Sequence, residues 1–253
     1  MKSIFQSKSI TRQMIINFIV IVMITAVIAG VPGIIILRAD HMKHAWSQVE
    51  QGAYNMKTLY TARQNELVAF AKLVGHRSCL QATVKDLDAQ GALAHLADLI
   101  SGTEVNLVVL CDNNDQVITS TLDLPVADMC QNYSERGFIL LPGEDGQNVW
   151  VFGSHYLGDH ESGLGRVVAG ILANDALADA VYLQSGLEYS ILQGSTAIVT
   201  SLSDDPAELD SVFASIRHFD TGESYQREFT LNGEPYYAVN QILEESPDLR
   251  YEV

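Results

Sequence analysis

Asn148 to Tyr156 (NVWVFGSHY) is the stretch whose residue types best suit chemistry. Along an extended strand, successive side chains point to opposite faces. Trp150, Phe152, Ser154 and Tyr156 would then share one face, and Val149, Val151, Gly153 and His155 the other. The first set offers aromatic walls and two hydroxyls, the mixture a small-molecule pocket uses. Upstream, Tyr133 and Arg136 would arch over that face and add a phenol and a cation for an anionic ligand. The competing reading makes the aromatics ordinary core and Arg136 a surface residue.

Other clusters carry less. Asp112-Asn113-Asn114-Asp115 has some of the spacing of a calcium loop. However, Gln116 stands at the third ligand position and no glycine follows at the bend, so a hairpin turn is expected. His155 and His160, with Asp159 and Glu161, include metal-ligand types but fall in or beside a loop, where polar residues are solvated anyway. His41 and His44 are one turn apart on a helical stretch, again a solvated face. Cys111 and Cys130 either pair across a loop or stay as buried thiols; three cysteines in all are too few for a disulfide scaffold. The chain has no G-x-S-x-G, P-loop, Rossmann glycine set or H-E-x-x-H motif. No catalytic residue, cofactor or metal site is therefore assigned.

These residues need a scaffold, and its first part is apolar. Met14 to Leu37 is 24 residues without a charge, against the roughly 20 that a bilayer core requires. The apolar run continues past the small-residue site at Val27-Ile28-Ala29, which favours an uncleaved anchor over a signal peptide. Lys2, Lys8 and Arg12 place the N-terminus in the cytoplasm. Beyond residue 37 the chain holds 12 Lys and Arg against 31 Asp and Glu, so nucleic acid and anionic lipid surfaces are poor partners.

From Ala39 the apolar residues recur at steps of three and four: Met42, Trp46, Val49, Ala53, Met56, Tyr60, Leu67, Phe70 and Val74, with Arg63 the one break. That stripe predicts a stalk helix continuous with the membrane helix and ending at Gly75. It would pack on its own domain, or form a parallel dimer seam, or do each over part of its length.

The remainder reads as α+β. A helix is expected over Asp86 to Ile100, and a hairpin at Val105 to Cys111 and Gln116 to Ser120. An irregular arch follows over 121–147, then strands at Asn148 to Tyr156 and Gly165 to Leu172. After a helix from Asp175 to Gln184 the order repeats. Strands are expected at Leu187 to Leu192 and Thr196 to Ser201, a helix at Pro206 to Ile216, and a hairpin at Tyr225 to Leu231 and Pro235 to Ile242 around Asn232-Gly233. A last strand begins at Leu249, and the sequence stops inside it, as a fragment would. Each half is expected to be one antiparallel sheet with helices to one side.

The phrases LVGHRSCLQATVKDLDAQGALAHLADLI, VNLVVLCDNNDQVITS, LGRVVAGILANDALADAVYLQSGLEYSILQGSTAIVTS and FTLNGEPYYAVNQIL follow an anchor and stalk. In that order they resemble the double Cache sensor region of bacterial transmembrane receptors, tandem PAS-like modules found on sensor histidine kinases, diguanylate cyclases and chemoreceptors. The resemblance implies a cytoplasmic tail (1–13), membrane helix (14–37), stalk (38–75), membrane-distal module (76–172), connecting helix (173–184) and membrane-proximal module (185–253). It also implies a small-molecule ligand held by the distal module, a homodimer joined through the stalk, and residues 38–253 on the extracytoplasmic side of the plasma membrane. Amino-acid-binding members carry Arg-x-Trp-Tyr and a later Asp. Here Gly137-Phe138 follow Arg136, and Leu172 stands near the Asp position, so that grip on an α-ammonium is not expected. Two other readings fit the residues: an anchored partner-binding module with a filled core, and an anchored enzyme.

Overall fold

The computed structural model describes residues 4–86, 88–132, 134–143, 146–158, 163–193, 196–202, 209, 211–214, 225–231, 233–240, 242–245 and 250–252. Residues 1–48 and 49–253 form separate compact units. The first consists of helix and holds the one described segment long and apolar enough to cross a membrane.

Helix α1 (Ile4–Gly75) continues without interruption through Pro32. Within the second unit its stripe lies where the three-four spacing puts it. Met56, Tyr60, Leu67 and Val74 are buried in the core shared with the sheets, and Phe70 packs beside them. Arg63 breaks the stripe because it stands at the core's edge, where its guanidinium pairs with Glu66 at 2.9 Å and Glu104 at 2.8 Å. Over this stretch the helix packs on its own domain.

Two short helices follow, α2 (Ser78–Lys85) and α3 (Ala89–Ile100), the latter capped by Asp88, whose carboxylate accepts from the Gly91 N–H. The single helix expected from Asp86 is therefore shorter and has a neighbour. The first sheet contains β1 (Leu107–Cys111), β2 (Val117–Ser120), β3 (Arg136–Gly143), β4 (Gly146–Tyr156) and β5 (Arg166–Ala173). They pair antiparallel in the order β2-β1-β5-β4-β3. At the β1–β2 turn, Asp112 accepts from the backbone N–H groups of Asn114 and Gln116. Slight burial opposes ionisation, but these bonds outweigh it and hold the carboxyl below its usual range.

The expected arch over 121–147 needs correction. It contains β3, an edge strand, and helix α4 (Ala127–Gln131). Pro142 sits near the end of that edge strand, where a missing N–H costs no internal ladder bond. The sheet is also covered on both faces rather than one. Val108, Leu110, Val149 and Val151 meet the helices α1–α3, while Val109, Trp150, Phe152 and Val168 meet Met129 and Cys130 of α4. A disulfide joins Cys111 of β1 to Cys130 of α4, with Cα atoms 5.6 Å apart, so the pairing left open by the sequence is made. Closing a loop of this length stabilises by roughly 3 kcal/mol in the chain-entropy description.

Helix α5 (Asp175–Ser185) leads to the second half. There β6 (Ser190–Gln193), β7 (Thr196–Thr200), β10 (Ile242–Glu245) and β11 (Arg250–Glu252) form a sheet in the order β10-β11-β6-β7. The last strand is thus internal to its sheet. Strands β8 (Tyr225–Leu231) and β9 (Glu234–Asn240) make a separate two-stranded sheet, so this half is not one sheet as expected. Of the helix expected at Pro206 to Ile216, residues 209 and 211–214 are described, and they are helical.

Candidate functional site

The alternation expected along β4 is observed. Trp150 and Phe152 lie on the α4 side, 2% and 1% exposed, packed with Met129, Ile139 and the disulfide. Ser154 follows on that side, also buried, and its hydroxyl donates to the Ser134 carbonyl at 2.9 Å. Tyr156 ends the strand and is exposed. One polar atom in this layer stands out: Trp150 Nε1 is fully buried and has no hydrogen-bond partner among the described residues. An indole N–H in that state normally finds an acceptor.

Arg136 is not on the arch. It opens β3 opposite Gly153, and alternation through Phe138 puts it on the α1 side, where its guanidinium donates to the Asn65 side chain. The sheet therefore separates Arg136 from Trp150 and Phe152. Tyr133 lies outside the described residues, as do His160, Asp159 and Glu161. The cation that faces the α4 layer is Arg166, which sequence reasoning passed over. It is 5% exposed, and its guanidinium donates to the carbonyls of Met129, Cys130 and Asn132. Met129 and Cys130 lie in the last turn of α4 and Asn132 just follows it, so the guanidinium meets carbonyls that a helix end leaves unsatisfied.

On the other face, α1 lies very close to the sheet. A Cβ on Gly153 would come within 2.4 Å of the Val68 nitrogen and 2.7 Å of the Leu67 carbonyl carbon. Only a residue without a side chain fits there. At the helix end, Gly75 accepts from the Gly158 N–H at 3.1 Å, and a Cβ on it would stand 2.8 Å from the Tyr156 carbonyl oxygen. Helix α1 is thereby fixed to both ends of the second half of β4.

The same helix reaches the second sheet. The ring of Tyr60 meets Phe138 of β3 edge-on at 5.3 Å and Tyr189, just before β6, at 6.2 Å. The Tyr189 hydroxyl donates to the Tyr60 hydroxyl at 2.6 Å in the buried core. Burial pushes the Tyr60 phenol up to about 12, partly offset by the bond it accepts, and raises Tyr189 as well. One α1 side chain thus touches the first sheet and the residue that leads into the second.

Beside this contact is a cavity of about 330 Å³. Val49, Gly52, Ala53 and Met56 of α1 line one wall, Tyr189 and Leu192 another, and Phe229 and Tyr236 of the hairpin a third. Tyr237 lines this space as well. The available signal was the small Ala53 between the bulkier Val49 and Met56 of the stripe, with Gly52 beside it.

Neither a protein-family model nor a curated protein sequence matches the chain. Solved structures do. The periplasmic domain of Vibrio cholerae LuxQ superimposes with a TM-score of 0.54 at 14% identity, over 81% of this chain and 97% of that one. The ligand-binding domain of the Pseudomonas fluorescens chemoreceptor CtaA, solved with L-alanine, gives 0.50 at 13% identity over 83% and 93%. An extracellular ligand-binding receptor from Desulfohalobium retbaense gives 0.50 at 10% identity, over 83% of this chain and 39% of that one. The chain shares its fold with these periplasmic and ligand-binding domains.

Proposed function

We propose that residues 38–253 are the extracytoplasmic input region of a bacterial transmembrane signalling receptor, anchored by residues 14–37 with residues 1–13 in the cytoplasm. Residues 76–172 act as the membrane-distal module and 185–253 as the membrane-proximal one, joined by 173–184. No catalytic step is assigned to this segment. The observation that carries the reading is α1. One helix contains an apolar segment fit to span a bilayer and also supplies Tyr60, which contacts β3 of the first sheet and Tyr189 at the entry to the second. A ligand that changes the packing of either sheet changes the seat of that helix. Coupling of about 1–3 kcal/mol is enough for signalling.

The small-molecule ligand enters between the first sheet and α4. Trp150 Nε1 donates to it, Phe152 and Ser154 shape the floor, and Tyr156 stands toward the opening. The fold's presence in the CtaA ligand-binding domain supports this assignment. Arg136, on the α1 face, joins the ligand-responsive packing through Asn65 rather than gripping an anion directly. The receptor works as a homodimer, with α1 below the packed stretch as its seam.

The test is a thermal-shift screen of the full chain against amino acids, carboxylic acids and amines. A sensor gains melting temperature with at least one compound, by mass action. Trp150→Phe should weaken that compound about tenfold, the value of one hydrogen bond. A screen with no saturable response would contradict the reading and favour a partner-binding module.

A further inference from the structure

The cavity against α1 is chemically unlike the α4 layer. Among the described residues no lysine, arginine or histidine lines it. Its one carboxylate, Glu188, accepts from the Ser201 hydroxyl at 2.5 Å. An anion would meet a carboxylate and no cation there, which disfavours it. The walls are aliphatic on α1 and aromatic on the hairpin, where Phe229 and Tyr236 stack at 5.4 Å. Among the described residues, the Asn55 amide and the Tyr236 hydroxyl on this lining make no hydrogen bond. The volume, about 330 Å³, falls in the range of roughly 300–1,000 Å³ that small-molecule pockets occupy.

We infer that this cavity is a second ligand site, taking an uncharged ring compound that carries one hydrogen-bonding group. The ring packs between Ala53 and the hairpin aromatics, and Asn55 or Tyr236 meets the polar group. Occupancy fills space directly against α1, beside Tyr189 and its bond to Tyr60. The site regulates the same helix as the α4 layer but from the other half of the unit. It goes beyond the input-region reading, and the two fail separately.

The test uses the full chain in lipid nanodiscs with three neutral probes, indole, 4-ethylphenol and cyclohexanol, and with indole-3-carboxylate as the charged counterpart of the first. Calorimetric titration should show saturable binding of at least one neutral probe, and at least tenfold weaker binding of the carboxylate. Ala53→Leu fills the wall and should weaken the neutral probe more than tenfold, whereas Trp150→Phe should leave it within twofold. Where Ala53→Leu does not fold, Ala238→Leu on the opposite wall serves the same purpose. Absence of saturable binding by all three neutral probes would overturn the proposal. Equal binding of the carboxylate would do so too, as would full affinity in the folded wall variants.

Discussion

Tyr60 and Tyr189 share one buried hydrogen bond, and that makes their hydroxyls interdependent. Tyr60→Phe leaves the Tyr189 donor buried without an acceptor, which costs about 1–3 kcal/mol. The double replacement by Phe removes both polar groups and should restore most of the loss. A double-mutant cycle by denaturant unfolding measures this, and additive losses would show that the two hydroxyls do not depend on each other. Both phenols are raised by burial, so their neutral forms favour the fold. For Tyr60 that stabilisation, roughly 3 kcal/mol, is complete below pH 10 and lost as pH climbs toward 12; Tyr189 shifts in the same direction. The double Phe variant should lose this alkaline sensitivity. Gly153 acts through space rather than polarity. Gly153→Ala forces α1 off β4, and a loss of about 1–3 kcal/mol in the same assay is expected. Wild-type stability would show that the helix is not seated on this glycine.

At the level of elements, the end of α1 carries a charge-sensitive contact. The His76 and His155 rings stand 5.8 Å apart beside the Gly75 contacts to β4 and its following turn. Burial, then His76 and Lys72, lower the His155 pKa, while Glu135 opposes them. A lowered histidine pKa favours the fold above the unfolded value near 6.5, and that contribution is lost as pH falls through the folded value. Melting temperature should therefore fall on acidification from pH 7 to 5, and His155→Gln should flatten that profile. An unchanged profile in the variant would place the acid response elsewhere. Such periodic elements were the legible ones. The stripe of α1 follows from spacing, and the 225–231 strand from the Asn232-Gly233 turn that ends it. Strand β3 was missed because Gly137, Pro142 and Gly143 interrupt its pattern, and α2 because its eight residues give its apolar face, Leu80 and Val84, barely two turns to repeat in. Losing β3 also cost the placement of Arg136, since a residue without a strand has no face. The Trp150, Phe152 and Ser154 side of β4 was readable by alternation. The cavity against α1 was not, because its walls come from residues near 53, 189 and 236 that meet only after folding.

For the molecule as a whole, one helix serves as anchor candidate, core element and wall of a cavity. The central claim is that filling either site moves α1 against the second half of the unit. Spin labels on Lys57 of α1 and Leu183 of α5, both exposed, report that displacement directly, with Cys79 replaced by Ser and the disulfide kept. The measurement is the label-to-label distance distribution in nanodiscs, with and without a saturating amount of the compound that most raises the melting temperature. A shifted or repartitioned distribution is expected. Superimposable distributions at full occupancy would contradict the claim.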